Sequence, residues 1–521
     1  MSATAASASA PIPEDVYRRR IRAWTMYDWA NSAFATTILA AILPVYYSQV
    51  AGSTLSPAVA TAYWSTGLSV ALLISAVLSP ILGTVSDVKR GKKPLLSIFV
   101  AIGVVATGLL VLVDSGDWLL ASILFVTGRI GFTGANVFYD ALLPHVAREQ
   151  DRDAVSTRGY AMGYLGGGLL LAINVVMLQL LPGTWGARLS FLSVAVWWAV
   201  FSIPLFRAVP EPPAAEAKLA PNQTVLGVSF RRLWSTLQDM QAYRQLFKFL
   251  LAFLIYNDGI GTIIGVAAIY GAELGFGSLE LVLALLLVQF VGIPYSLIFG
   301  RLPTGSDHRR GFYLSFVLLN LVALPAVGIV GARTLPADLT GALTAAGAEP
   351  TSNLLAILGS ILALEVVLLL AAWLTGRLFH DLAAGIDTKR SIQLGLVFYT
   401  AIAVWGYFLN SVWEFWYLAW MVAVVQGGSQ ALSRSLYASL SPAAKSGEFF
   451  GLFGIMEKFS AFIGPLVFAA AVAIFGSSRP AVLGIVAFFV VGGALLALVD
   501  VEAGRSVARR EDQELLTAGG G

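Results

Sequence analysis

Apolar residues in this chain come in blocks of about 20 to 27 separated by polar segments, and that spacing constrains the fold more than any other feature. A helix of about 20 residues, rising 1.5 Å per residue, crosses the ~30 Å hydrocarbon layer of a bilayer. The blocks lie near 24–49, 60–84, 94–114, 118–143, 157–181, 187–206, 245–270, 278–300, 311–333, 353–378, 391–409, 414–440, 449–474 and 480–500. Only 12% of the 521 residues are charged, against roughly 25% in soluble domains, so too little polar surface exists to cover a soluble fold. The expected fold class is an all-α polytopic membrane protein with fourteen transmembrane helices. A soluble enzyme, a nucleic-acid binder and a secreted scaffold are excluded as readings of the whole chain.

Charge placement gives the expected orientation. With both termini on the cytoplasmic side, the far loops carry only Arg188, Arg333 and Arg479. The near loops hold Lys89, Arg90, Lys92, Lys93, Arg148, Arg152, Arg309, Arg310, Lys389 and Arg390, as the positive-inside rule requires. The reading is therefore a multi-pass inner-membrane protein. Residues 1–23 end in Arg18, Arg19, Arg20 and Arg22 without a preceding apolar core, which predicts a cytoplasmic tail and not a signal peptide. A Pro-rich segment at 208–243 divides a six-helix bundle at 24–207 from a second bundle at 244–500, and 501–521 forms a second tail. Leu226, Phe230, Leu233, Trp234, Leu237 and Met240 recur at helical spacing within the divider, predicting an amphipathic helix on the membrane surface.

The two halves read as repeats. Tyr27-Asp28 matches Tyr256-Asn257-Asp258, 229 positions later, whereas Tyr139-Asp140-Ala141-Leu142-Leu143-Pro144 matches Tyr437-Ala438-Ser439-Leu440-Ser441-Pro442, 298 positions later. The second half thus holds 69 more residues, enough for two helices and a loop. Gly300-Arg301-Leu302 recurs as Gly376-Arg377-Leu378, which places an inserted hairpin at about 303–375. Twelve helices remain as the core, in two related bundles.

The loop Gly83-Thr84-Val85-Ser86-Asp87-Val88-Lys89-Arg90-Gly91-Lys92-Lys93 resembles the signature between helices 2 and 3 of the major facilitator superfamily, with its second glycine one position late. Further motifs are Tyr27-Asp28-Trp29-Ala30-Asn31-Ser32-Ala33-Phe34, Arg158-Gly159-Tyr160-Ala161-Met162-Gly163-Tyr164, and the run from Gln430-Ala431-Leu432-Ser433-Arg434-Ser435 through Phe449-Phe450-Gly451 to Gly464-Pro465. Over roughly 22–475, apart from the hairpin, these resemble the vacuole effluxer branch, the autophagy-linked exporters of amino acids and their bacterial relatives. The resemblance implies the major facilitator fold, two six-helix bundles that rock against each other, and transport of an amino acid or a related small solute. Within that loop Gly83, Asp87 and Arg90 read as a conformational latch between helices, with topology marking as the alternative role of Asp87 and the Lys/Arg cluster.

A charge at mid-bilayer costs about 2.5–3.5 kcal/mol on insertion scales, so the few present should face a cavity or a partner. Asp28 and Asn31 share one face of the first helix, and Arg129, Asn136 and Asp140 fall within about 20° of one direction on the fourth. Asp28 and Arg129 are expected to form the intramembrane ion pair. In the second half, Tyr256, Asn257 and Asp258 stand beside Gly259 and Gly261, which are expected to loosen that helix. Gln426, Ser429, Gln430, Ser433 and Arg434 make a polar stripe on another. The candidate substrate or coupling residues are Asp28, Asn31, Arg129, Asn136, Tyr256, Asn257, Asp258, Gln426 and Gln430, a set suited to a zwitterion, with Asp28 or Asp258 carrying a coupling proton. Asp140 reads as a helix cap, and Gly159, Gly163 and Gly167 read as a close helix contact. Glu365, within the inserted hairpin, has no evident role from sequence.

No phosphate-loop motif and no HExxH motif occurs, and with Cys 0 there is no thiolate site. No cofactor, metal, nucleic-acid partner or catalytic function is expected. The reading is a monomeric secondary transporter working by alternating access with a small polar solute and protons. Its alternatives are efflux of amphipathic or drug-like compounds, and a non-transporting membrane sensor.

Overall fold

The computed structural model describes residues 12–213, 241–274, 276, 278–303, 309–336, 354–460, 463–475 and 478–518, with scattered positions between 224 and 235. The surface helix expected across 226–240 falls largely outside the described residues. Elsewhere the chain is helical, and no strand element occurs among the described residues.

The first half contains α1 (Glu14–Ala33), α2 (Pro57–Lys89), α3 (Lys92–Leu109), α4 (Trp118–Ala141), α5 (Arg152–Leu180) and α6 (Trp185–Ala208). The second contains α7 (Arg244–Glu273), α8 (Ser278–Arg301), α9 (Arg310–Thr334), α10 (Leu354–Thr375), α11 (Thr388–Tyr407) and α12 (Val412–Leu440). It ends with α13 (Ser446–Phe459), α14 (Ile463–Phe475), α15 (Ser478–Gly484), α16 (Val486–Ala497) and the terminal α17 (Val501–Ala518). Among the described residues, eleven helical spans are long and apolar enough to cross a membrane. They make this a multi-pass membrane protein.

Two departures from regular helix matter. After α1 the backbone runs on without a break to Ala51 through wider π turns at Phe34–Ala41 and Tyr47–Ala51. Pro44, which has no N–H to donate, lies between them. The glycines expected to loosen α7 do not do so, because that helix is continuous from Arg244 to Glu273. The interruption falls instead between α13 and α14, ahead of Gly464-Pro465.

Equivalent helices pack alike in the two halves. α1 packs on α6 as α7 does on α16, α3 on α6 as α11 does on α16, and α3 on α4 as α11 does on α12. α9 and α10 pack on each other and on α12, with no counterpart in the first half. The halves meet through α5 against α8 and α12, and through α2 and α4 against α13. Small residues permit the closest approach: a Cβ at Gly159 would overlap the Asp28 carboxylate, one at Gly163 would lie 2.6 Å from Ser32 Oγ, and one at Gly167 would lie 3.1 Å from the Ser32 carbonyl. The glycine series read from the sequence is thus the seam of α5 on α1.

Candidate functional site

At the centre of this interface, Arg434 of α12 reaches into the first half. Its Nη2 lies 3.3 Å from Asp28 Oδ2 of α1, and its Nη1 lies 3.1 Å from Asp140 Oδ1 of α4. Nε donates to Ser156 Oγ at 2.9 Å, and Nη2 also donates to the Ser156 carbonyl at 2.9 Å. The guanidinium stacks over Tyr160 at 4.6 Å and Trp24 at 4.9 Å. Tyr139 donates to Asp28 Oδ2 at 2.7 Å, and Trp24 Nε1 donates to the Tyr139 carbonyl at 3.1 Å. The planar fork of arginine suits such a site, since it satisfies two carboxylates and a hydroxyl while its faces meet rings. The partner of Asp28 is therefore Arg434 and not Arg129. Asp140, read as a helix cap, belongs to this cluster.

A cavity of about 300 Å³ adjoins the cluster, lined by Asp28, Asn31, Asn136, Gln426, Gln430 and Arg434 among others. Asn31 Nδ2 donates to Asn136 Oδ1 at 2.7 Å, tying α1 to α4. Gln289 and Glu457 also line it. Neither was singled out from the sequence, although Glu457-Lys458 is a visible charged pair inside an apolar run. Arg129 lines an adjoining chamber instead.

The candidates on α7 lie elsewhere. The Tyr256 hydroxyl meets Ser433 Oγ at 2.7 Å, and Asn257 Nδ2 donates to Ser460 Oγ at 2.6 Å. Asp258 Oδ1 accepts the Gly464 N–H at 2.8 Å, so this carboxylate caps the start of α14. All three fasten α7 to its own half, away from the cavity.

Toward the face that bears both termini, the halves are zipped together. Asp87 accepts the Gly447 N–H at 3.0 Å and the Glu448 N–H at 2.7 Å, capping α13 from the opposite half, and Lys92 Nζ pairs with the same carboxylate. A Cβ at Gly83 would overlap the Gly447 carbonyl. Arg90 makes no such contact; it ends α2 with φ 54° and is exposed. Arg152 donates to the Ala438 carbonyl at 3.0 Å, and Thr388 donates to Asp153 at 2.7 Å. Below these, α17 spans the seam, with Arg509 on Glu149 at 2.7 Å and Asp512 accepting the Ala443 and Ala444 N–H groups, each at 2.9 Å.

A larger cavity, about 1160 Å³, lies within the second half between α9, α11 and α16, where Pro325, Ile329, Leu396, Val397 and Phe408 form part of a largely apolar wall. Glu365, on α10, is buried with its Oε2 3.5 Å from Asn320 Nδ2 of α9. It ties α9 and α10 together.

Two related bundles around a polar interface cavity define a transporter of the major facilitator type. Solved structures agree on the fold. The proton:xylose symporter XylE matches with TM-score 0.58 and 13% identity, covering 96% of this chain and 99% of that one. The human organic anion transporter MFSD10 matches with TM-score 0.57 and 14% identity, covering 92% and 99%. The chain belongs to the family described as vacuole effluxer Atg22 like, whose model matches residues 56–342 and 348–509. The "Uncharacterized MFS-type transporter YxiO" of Bacillus subtilis (strain 168) is 32% identical over 504 residues, covering 95% of this chain and 98% of that protein. "Autophagy-related protein 22-1" of Aspergillus niger is 25% identical over 370 residues, which are 69% of this chain but only 49% of the fungal protein.

Proposed function

We propose that this transporter is a secondary active carrier that moves an amino acid or a similar small polar solute by alternating access, coupled to protons. The observation that carries this reading is the central cavity, where carboxylates, a guanidinium and amides from both halves converge on a space of about 300 Å³. That volume suits a small metabolite, and the mixed charge suits a zwitterion. Cross-half contacts concentrated toward the termini-bearing face support a resting state closed on that side. The basic loops support calling that side cytoplasmic and the membrane the inner one. Asp28 is the coupling carboxylate in this reading, and Asp258 is not.

The packing of α9 and α10 outside the repeated pairs supports a twelve-helix core with an inserted hairpin. On this reading α13 with α14, and α15 with α16, each make one crossing, giving fourteen. The larger apolar cavity favours a second reading, efflux of amphipathic compounds. It lies inside one half, however, and rocking of the halves would not expose it alternately to the two sides.

The test is uptake of labelled amino acids into proteoliposomes with and without a proton gradient. Saturable, gradient-stimulated flux is the expected result; no flux of any amino acid removes the substrate assignment.

A further inference from the structure

Six charged side chains line the central cavity and the smaller chamber of about 110 Å³ that adjoins it, and four are already bonded to fixed protein groups. Asp28, Asp140 and Arg434 satisfy one another, and Lys458 Nζ is held by the Gly454 carbonyl at 2.9 Å and Ser79 Oγ at 3.2 Å. The remaining two are Arg129 of α4 and Glu457 of α13. Arg129 Nε is buried without a hydrogen-bond partner, its guanidinium resting 5.7 Å from the centre of the Phe132 ring. The Glu457 carboxylate forms no hydrogen bond or ion pair among the described residues. Both side chains line the same chamber, yet no ion pair joins them among the described residues. A buried guanidinium nitrogen without an acceptor is costly, whereas Glu457 is an exposed residue whose free carboxylate is open to a partner on the wall it shares with Arg129.

Resting on the solute reading above, we infer that Arg129 and Glu457 are the two poles of the solute site. Arg129 takes the carboxylate of a zwitterionic amino acid and Glu457 takes its ammonium group. Three observations converge on this. Glu457, Asn136, Asp140 and Phe132 line both spaces, so the chamber directly adjoins the cavity. The lining charges balance, with Asp28, Asp140 and Glu457 against Arg129, Arg434 and Lys458, which favours a solute of zero net charge. The two poles also stand on opposite halves of the molecule. A solute held at both ends thus favours the arrangement that brings α4 and α13 together, giving it the differential affinity that alternating access requires. A cationic or dianionic amino acid would leave one charge unmatched.

The test uses the full chain in proteoliposomes, first with an equimolar mixture of the twenty labelled amino acids. Each one accumulated by the wild type is then compared with its carboxamide and its deaminated acid. Wild type should prefer the intact amino acid over either analogue by about tenfold or more, the equivalent of one charge-assisted hydrogen bond. Glu457→Gln should abolish discrimination against the deaminated acid while keeping discrimination against the amide, and Arg129→Gln should do the reverse. These are ratios within one preparation, so partial misfolding does not imitate them. Amino-acid flux with unchanged ratios in both variants overturns the inference and leaves the transport reading standing. No accumulation of any amino acid by the wild type overturns both.

Discussion

Asp28 and Asp258 close matching tyrosine motifs in the first helix of each half, and the two have been put to different uses. Asp28 looks across the interface to Arg434, accepts from Tyr139 of its own half and lines the cavity. Asp258 turns inward and caps α14 of its own half, with its second oxygen buried and unpartnered. Asp87 stands between the two cases, capping a helix as Asp258 does but one belonging to the opposite half. A carboxylate bonded across the seam must release its partner when the halves rock. One bonded within a half need not. The repeat therefore conserved a residue type while the break between α13 and α14 gave the second copy a structural duty.

The sharpest way to break this contrast is Arg434→Ala, which strands two buried carboxylates. A loss of about 3–5 kcal/mol is expected, read as a steep fall in thermal midpoint in detergent. Arg434→Lys should recover only part of it, since an ammonium cannot serve both carboxylates and the rings with the same geometry. A fall no larger than that of a surface substitution would mean that the cluster is not a buried network.

Asp87→Ala should cost about 1–2 kcal/mol of cap energy, and it should act on the closed state in particular. Because the chain has Cys 0, a single Thr157→Cys probe, buried beside Gly300, can report opening. Its labelling by a thiol reagent from the termini-bearing side should rise severalfold with Asp87→Ala. Asp258→Ala is expected to cost a similar cap energy, about 1 kcal/mol, with no change in that labelling. Equal labelling in the two variants would erase the distinction between them. The smallest effect should come from Arg509→Ala, which removes an exposed ion pair worth about 0.2–1 kcal/mol and should lower the thermal midpoint only slightly.

Much of this was legible in the sequence. Hydropathy marked an all-helical, multi-pass membrane protein, and Gly83 and Asp87 stood out in the segment that packs on α13. On α4 and α12, helical periodicity brought Asn136, Gln426 and Gln430 to the cavity. The partner of Asp28 was not legible, because periodicity aligns residues on one helix and says nothing about contacts between positions 406 apart. Arg129 was the nearer cation in sequence and the wrong one. The duty of Asp258 was hidden for a related reason: it depends on a helix start at Ile463 that Gly464-Pro465 hints at but does not aim at α7.

The most direct measurement is gradient-driven amino-acid uptake by Asp28→Asn and Asp258→Asn side by side in proteoliposomes, with thermal midpoints taken on the same preparations. Asp28→Asn is expected to lose gradient stimulation by about tenfold or more while its fold is retained, and Asp258→Asn is expected to transport like the wild type. Gradient-stimulated uptake that survives Asp28→Asn, or is abolished by Asp258→Asn in a protein of unchanged stability, would contradict the assignment of coupling to the cross-half carboxylate.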